Sequence, residues 1–272
     1  MTKDTRKGPD SRREALADHV LSAGSVSAAD LAELFGVSLM TIHRDLDELE
    51  RQGIVRKYRG GVTAQPSGVF ESNVAYRKKS MQRAKDAIAA HVAGMVEPGM
   101  AVMLDDSTTA LALARQLVGI TPLTVVTNFL EAINLLVRER DIRLMALGGD
   151  YDPLHDSFLG MSCVDAISSL RVDLCFVSTS AVSGGFAYHQ EQHIVSVKRA
   201  MLDAAARSVL LVDHTKLGRV ALHRVAPLSV FDRVVVDDGA SAEALRELDE
   251  HKVAHEVATT SRSLRSEASS TS

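Results

Sequence analysis

Over residues 11–52 apolar positions recur at helical spacing, and each run opens on a residue able to cap it. Residues 11–22 set Ala15, Leu16, His19 and Val20 on one helical face. Ser27 is placed to cap a second helix, with Asp30 at the reciprocal capping position and Leu31, Leu34 and Phe35 turned inward. Gly36 breaks that helix, Val37 plugs the core, and Ser38 caps a third helix predicted to run to about Gln52. On this third helix Ile42, Leu46 and Leu49 form the buried stripe. Met40, Arg44, Asp47 and Arg51 then face outward, with Thr41, His43 and Glu48 beside them. Two short β runs follow within residues 54–64, flanking Gly60-Gly61, a hairpin turn that calls for positive φ.

The pattern changes after a short breaker-rich stretch, residues 65–72. From about Lys79 to Glu250, β-rich runs alternate with amphipathic ones. The predicted strands are 101–104, 123–126, 142–147, 174–177, 208–212 and 233–236, and the helices between them 85–95, 109–118, 130–138, 161–170 and 192–206. Such alternation predicts an α/β fold, a mostly parallel sheet flanked by helices. The expected division is therefore a helix-and-hairpin domain at 1–64, a linker at 65–78, an α/β domain at 79–250, and a disordered Ser/Thr-rich tail at 251–272.

Composition narrows the picture only modestly. The 272 residues suit two domains, and no apolar run approaches the ~20 residues of a membrane span. The first ten residues carry no apolar secretory stretch, and the two cysteines, Cys163 and Cys175, read as small core residues. A reducing cytoplasm is the expected compartment. The net charge of −4 argues against a non-specific polyanion binder, yet leaves room for a local basic surface.

That surface has a natural place. Helix, Gly-containing turn, helix is the helix-turn-helix arrangement, and base edges are read from the N-terminal part of the second helix. Ser38, Leu39, Met40, Thr41, His43 and Arg44 are the candidates, with Arg44 suited to a bidentate guanine contact or a phosphate clamp. Arg56, Lys57 and Arg59 make the hairpin basic, and Tyr58 is placed to lie along a groove, as in a wing. The rival reading is a generic three-helix bundle with a solvated charged face. Asp45, Asp47, Glu48 and Glu50 favour it unless they hold the wing's basic residues.

In the second half the clue is where strands end. The run 102–104 leads into Asp105-Asp-Ser-Thr-Thr109 and a helix, an anion cradle in which backbone N–H groups and the helix dipole point at the ligand. Asp106 would repel a phosphate unless turned away. Other strands end in Thr127-Asn128, in Gly148-Gly149, whose missing side chains let a ligand approach backbone, and in Asp213-His-Thr-Lys216 with a lysine for phosphate. Together they predict one pocket at the carboxyl edge of the sheet. Each has a plainer reading: Ser107 as a helix cap, Lys216 as a surface lysine.

Residues 26–50, with Ser38-Leu-Met-Thr-Ile-His-Arg-Asp-Leu46 at their centre, resemble the DeoR-type helix-turn-helix, whose pattern is V-S-x-x-T-I-R-R-D-L followed by a wing ending H-G-G-A. Here His43 replaces the first arginine and Arg59-Gly60-Gly61-Val62 replaces H-G-G-A. The resemblance continues through the DeoR sensor domain to about Asp238: D-S-G-T-T corresponds to residues 105–109, T-N to Thr127-Asn128, G-G to Gly148-Gly149 and D-x-x-K to Asp213 through Lys216. Phe70, Arg77 and Lys85 fit the link and first helix. The resemblance implies a sensor fold similar to ribose-phosphate isomerases. It also implies a repressor of carbohydrate or related catabolic genes, binding a double-stranded operator as a homo-oligomer and answering to a phosphorylated sugar or similar metabolite.

The isomerase likeness raises an enzyme reading. Those enzymes place proton-transferring carboxylates after the strand corresponding to 174–177, whereas this chain has Ser178-Thr-Ser-Ala181. Glu191, near in sequence, is the remaining candidate there and is assigned to the effector pocket. A pocket that binds without catalysing is the expectation; an isomerase with a DNA-binding appendage, or a pure oligomerisation module, are the alternatives. His189 and His193, four apart with Glu191 between, are read as a surface pair sharing a helical face, so neither metal nor cofactor is expected. No Walker loop, G-x-G-x-x-G, G-x-S-x-G or H-E-x-x-H occurs.

Overall fold

The computed structural model describes residues 9–51, 54–64, 77–78 and 80–260. The chain divides into two compact units, Met1–Ser80 and Met81–Ser272. Gln52, Phe70, nearly all of the expected linker and the residues beyond 260 lie outside the described residues.

The first unit runs α1 (Pro9–Ala23), β1 (Ser25–Ser27), α2 (Ala28–Phe35), α3 (Leu39–Arg51), β2 (Val55–Tyr58) and β3 (Gly61–Ala64). Leu16, Val20, Leu31, Ile42, Leu46, Leu49, Ile54 and Val62 close into one core. The Ser27 hydroxyl accepts the Asp30 amide at 3.0 Å, and Gly36 ends α2 at φ +62° with its N–H on the Ala32 and Glu33 carbonyls. Three expectations change. Leu34 points outward, 59% exposed, because the short α2 buries only Ala28 and Leu31 fully. Ser25–Ser27 forms a strand, pairing with β3 to give the order β1-β3-β2. The wing turn is Arg59-Gly60, since Tyr58 pairs with Gly61. Only Gly60 has positive φ, +93°, while Gly61 is required for packing: a Cβ there would lie 2.5 Å from the Tyr58 hydroxyl and 2.7 Å from the Val26 carbonyl.

The second unit begins with α4 (Gln82–Ala93), β4 (Ala101–Leu104), α5 (Thr108–Leu117), β5 (Leu123–Thr127), α6 (Leu130–Leu136) and β6 (Ile142–Ala146). It continues with the hairpin β7 (Asp150–Asp152) and β8 (Ser157–Leu159), then α7 (Met161–Ser168), β9 (Val172–Ser178), β10 (Ala181–Ser183), β11 (Phe186–His189) and α8 (Gln192–Asp203). It closes with β12 (Ala205–Val212), β13 (His223–Pro227), β14 (Arg233–Asp237), α9 (Ala242–Glu250) and β15 (His255–Ala258). Seven strands form one sheet in the order β15-β14-β12-β9-β4-β5-β6, every neighbouring pair parallel. Central runs such as Val102–Leu104 and Leu174–Val177 are buried on both faces, which is why they read as continuous apolar stretches rather than alternating ones.

The order runs outward from β4 through β5 to β6, then returns and runs outward the other way from β9. The sheet therefore has its topological switch point between β4 and β9, where α/β sheets leave a crevice at the strands' carboxyl ends. A small antiparallel sheet, β10-β11-β13, was not foreseen, its strands being too short for alternation to register. Two of the boundary differences have a visible cause. The helix expected to reach residue 206 stops at Asp203, because Ala205 is captured by pairing with Val172 of β9. Residues 251–260, expected as part of a disordered tail, are ordered: β15 pairs with β14, and Val253 and Ala258 are buried. Its polar composition belongs to the residues beyond.

Candidate functional site

In the first unit α3 presents its N-terminal turns outward. Leu39 and Met40 are 48% and 74% exposed, His43 and Arg44 are exposed, and Thr41 is half-buried. The Ser38 hydroxyl caps the helix, accepting the Thr41 amide at 3.2 Å and meeting the Thr41 hydroxyl at 2.9 Å. Among the described residues Arg44, Arg56 and Arg59 form no ion pair, and all three are exposed. Tyr58 is half-exposed, its hydroxyl held 2.9 Å from that of Ser25.

The acidic residues resolve into separate tasks. Asp45 is buried and takes Arg12 at 2.6 Å and Arg13 at 3.3 Å, tying α1 to α3. Glu48 pairs with Arg51 at 2.6 Å. The Lys57 ammonium pairs with Asp47, and its amide donates to Glu50 at 2.8 Å. Lys57 thus links the wing to α3 through a solvent-exposed pair of the kind worth little by itself.

In the second unit the strand ends are joined by buried polar groups around one lysine. Lys198 of α8, 3% exposed, donates to both Asp105 and Asp106, the latter at 3.3 Å. Asp105 also accepts the Ser178 amide at 2.7 Å and the Ser107 amide at 3.1 Å, while Asp106 accepts the Ser157 hydroxyl at 3.1 Å. Burial alone would lower the Lys198 pKa, but the two carboxylates outweigh it and hold the ammonium above its usual value. Asp105 locks β4, β9 and α8 together, and Asp106 is neutralised by the same lysine. Lys198 was missed because nothing local marks a helical lysine as buried.

Around this lock lie the other motif residues. Ser107 caps α5, its hydroxyl accepting the Ala110 amide at 3.0 Å, and Thr108 and Thr109 are buried beside it. The Thr127 hydroxyl accepts the Phe129 amide at 3.2 Å, and the Asn128 amide donates to the Phe158 carbonyl at 2.9 Å. A Cβ on Gly148 would meet open space, but one on Gly149 would lie 2.2 Å from the Leu159 carbonyl. Gly149 is therefore required where β8 passes. Lys216 is not a surface lysine: it ends a single 3-10 turn, His214–Lys216, and donates to the Thr179 carbonyl at 2.8 Å, with Asp213 at 3.8 Å. Burial alone would raise the Asp213 pKa, but Lys216 and Lys85 hold it below its usual value. Among the described residues, Asn128 Oδ1, Ser178 Oγ and both polar atoms of the Gln190 side chain are buried with no hydrogen-bond partner. Buried polar atoms are rarely left so, and such a set at strand ends fits a hydroxyl-bearing ligand or ordered water.

Glu191 lies 3.1 Å from His193 and 3.5 Å from His155. His189 and His193 do not share a helical face: His189 ends β11 and is buried, while His193 opens α8. Among the described residues no helix is long and apolar enough to cross a membrane.

A helix-turn-helix with an exposed reading face, joined in one chain to a sheet whose switch point gathers charge, defines a class: transcriptional regulators that couple a DNA-binding head to a sensor. Residues 12–67 match the DeoR-like helix-turn-helix domain and residues 80–238 the DeoR C terminal sensor domain, and the chain belongs to the DeoR family. It is 35% identical over 240 residues to the uncharacterized HTH-type transcriptional regulator YgbI of Escherichia coli K12, covering 88% of this chain and 94% of that protein. It is 31% identical over 247 residues to the glycerol-3-phosphate regulon repressor of Escherichia coli K12, covering 90% of this chain and 98% of the repressor. Among solved structures, ribose 5-phosphate isomerase A from Methanocaldococcus jannaschii aligns with a TM-score of 0.37 at 19% identity, covering 53% of this chain and 56% of that one.

Proposed function

We propose that the protein is a repressor of carbohydrate or related catabolic genes that releases its operator when a phosphorylated sugar or sugar acid binds at the sheet switch point. The observation that carries this reading is the Lys216 ammonium, bonded to the Thr179 carbonyl at the end of β9, beside the Ser178 amide that Asp105 holds. On this reading that cation and the N-terminus of α5, whose Thr108 and Thr109 amides lack intrahelical partners, together receive the anion. Asn128, Ser178 and Gln190 offer buried partners for sugar hydroxyls, and Gly148 leaves room for the ligand backbone. Near-full-length similarity to a protein named for a glycerol-3-phosphate regulon is in keeping with a phosphorylated ligand.

On this reading the site binds without turnover. The loop after β9 carries no carboxylate, and Asp105 and Asp106 are both engaged by a buried ammonium, so neither is poised as a base for proton transfer. On the DNA side, Leu39, Met40, Thr41, His43 and Arg44 meet base edges, while Ser38, Arg56, Lys57, Tyr58 and Arg59 approach the backbone. Paired half-sites call for paired readers, so the working form is a homo-oligomer in the cytoplasm.

A thermal-shift panel of phosphorylated sugars, each beside its unphosphorylated parent, tests the pocket. A ligand at 100 times its dissociation constant stabilises by about 2.7 kcal/mol. The expected outcome is a shift from phosphorylated compounds alone, lost in Lys216→Ala with the protein still folded. Equal shifts from the unphosphorylated parents, or a full shift in Lys216→Ala, would overturn the assignment.

A further inference from the structure

We propose that the protein carries a site for a divalent transition-metal ion of the zinc type, formed by Asp152, His155, Glu191 and His193. One ligand atom from each lies within 4.8 Å of all the others. In a set that takes His155 through Nδ1, His193 Nε2 lies 3.1 Å from Glu191 Oε2 and 3.5 Å from Asp152 Oδ2, and His155 Nδ1 lies 3.5 Å from Asp152 Oδ2; the other ring nitrogen, His155 Nε2, faces the second Glu191 oxygen, Oε1, at 3.5 Å. Ligands 2.0–2.2 Å from a tetrahedral ion sit roughly 3.3–3.6 Å from one another, so the three spacings within that set are close to those of a coordination shell. They exceed ordinary hydrogen bonds, apart from the shortest.

His155 supplies an independent observation. It is 1% exposed, and neither ring nitrogen has a hydrogen-bond partner among the described residues. An imidazole so placed is expensive to leave unsatisfied, and a metal on one nitrogen with a carboxylate facing the other would satisfy it. Asp152 is prepared for the same task. Its Oδ1 accepts the Leu154 and His155 amides at 2.7 and 3.2 Å, fixing the carboxylate so that Oδ2 faces both histidines. Two neutral imidazoles and two carboxylates give an N2O2 set of charge −2, suited to a divalent ion of borderline softness rather than to calcium or magnesium.

The ligands come from two places: Asp152 and His155 from the β7–β8 hairpin, Glu191 and His193 from the start of α8. The ion would pin that hairpin to α8, next to the Ser157–Asp106 bond, and would neutralise the Glu191 carboxylate. Glu191 would then serve the ion rather than touch an anionic effector directly.

The test is a titration of chelator-stripped full-length protein with zinc, against a competing chromophoric chelator, with no sugar or DNA present. One zinc per chain is expected, with cobalt giving the intense visible bands of a tetrahedral site. His193 is half-exposed, so His193→Ala removes a ligand without disturbing the core. It should weaken zinc at least about tenfold, the size seen even for loss of an outer-shell partner, and His155→Ala should do the same. No saturable binding, or unchanged affinity in folded His193→Ala, would overturn the proposal. Because neither effector nor operator enters the experiment, its failure leaves the repressor reading untouched, and the converse holds.

Discussion

The two units use charge in opposite ways. In the winged helix the basic residues assigned to DNA, Arg44, Arg56 and Arg59, stand in solvent, and the ion pairs around them brace the scaffold from which they project. In the sensor unit the charges lie inside: Lys198, Asp105, Asp106 and Asp213 are each 5% exposed or less. An exposed cation is exchangeable at little structural cost and gains energy only when a polyanion arrives. A buried cation is part of the architecture, so the same residue types that read DNA in one half hold strands in register in the other.

The largest effect should follow from breaking the buried lock. Lys198→Met leaves two carboxylates uncompensated beneath α8 and should destabilise the sensor unit by about 3–5 kcal/mol, measured by urea unfolding. A loss under about 1 kcal/mol would mean that the lysine is not what holds β4 to β9. Next in size, Arg44→Ala should cost about 1–3 kcal/mol in operator binding while the unfolding midpoint stays put. Unaltered affinity in anisotropy titrations would remove Arg44 from the interface.

The wing offers a finer discrimination. Arg59→Ala should reduce the slope of log affinity against log salt by about 1. Lys57→Ala should change that slope less, since Asp47 already faces its ammonium, and should instead loosen the wing. Equal slopes for the two variants would mean that the Asp47 pair does not hold Lys57 back from phosphate.

The smallest effect concerns pH. Asp213 is depressed below 3.8, so its stabilisation is present above that value and fades as pH falls through its lower folded pKa. Lys198 is raised above 10.5, so its contribution is present below that and fades as pH climbs beyond. These groups therefore add no slope to stability between about pH 5 and 9. A steep change at neutral pH that vanishes in Lys198→Met would contradict this.

What sequence makes legible follows the same division. The α3 stripe of Ile42, Leu46 and Leu49, the Ser27 and Ser38 caps and the Gly36 stop depend on residues within a turn or two, and all stand where local spacing puts them. The task of Lys57 does not, because Asp47 reaches it only once the wing folds back on α3. In the sensor unit the polar strand ends were visible, but not their partners: Lys198 meets Asp105 across 93 positions, after a crossover brings β9 beside β4. Ser107 proved a helix cap and Gly149 a packing glycine, roles that share a motif with binding. His155 escaped notice for the same reason, since its companions Glu191 and His193 lie on another element.

The central claim is that the sensor's ligand controls the DNA-binding face. It is tested most directly by holding the protein on a labelled operator, selected from genomic fragments, and titrating phosphorylated sugars and their unphosphorylated parents while following anisotropy. The account predicts release by a phosphorylated compound only, with Lys216→Ala bound to the operator yet deaf to that compound. An operator complex that no phosphorylated compound dissolves, or one that the unphosphorylated parents dissolve equally well, would contradict it.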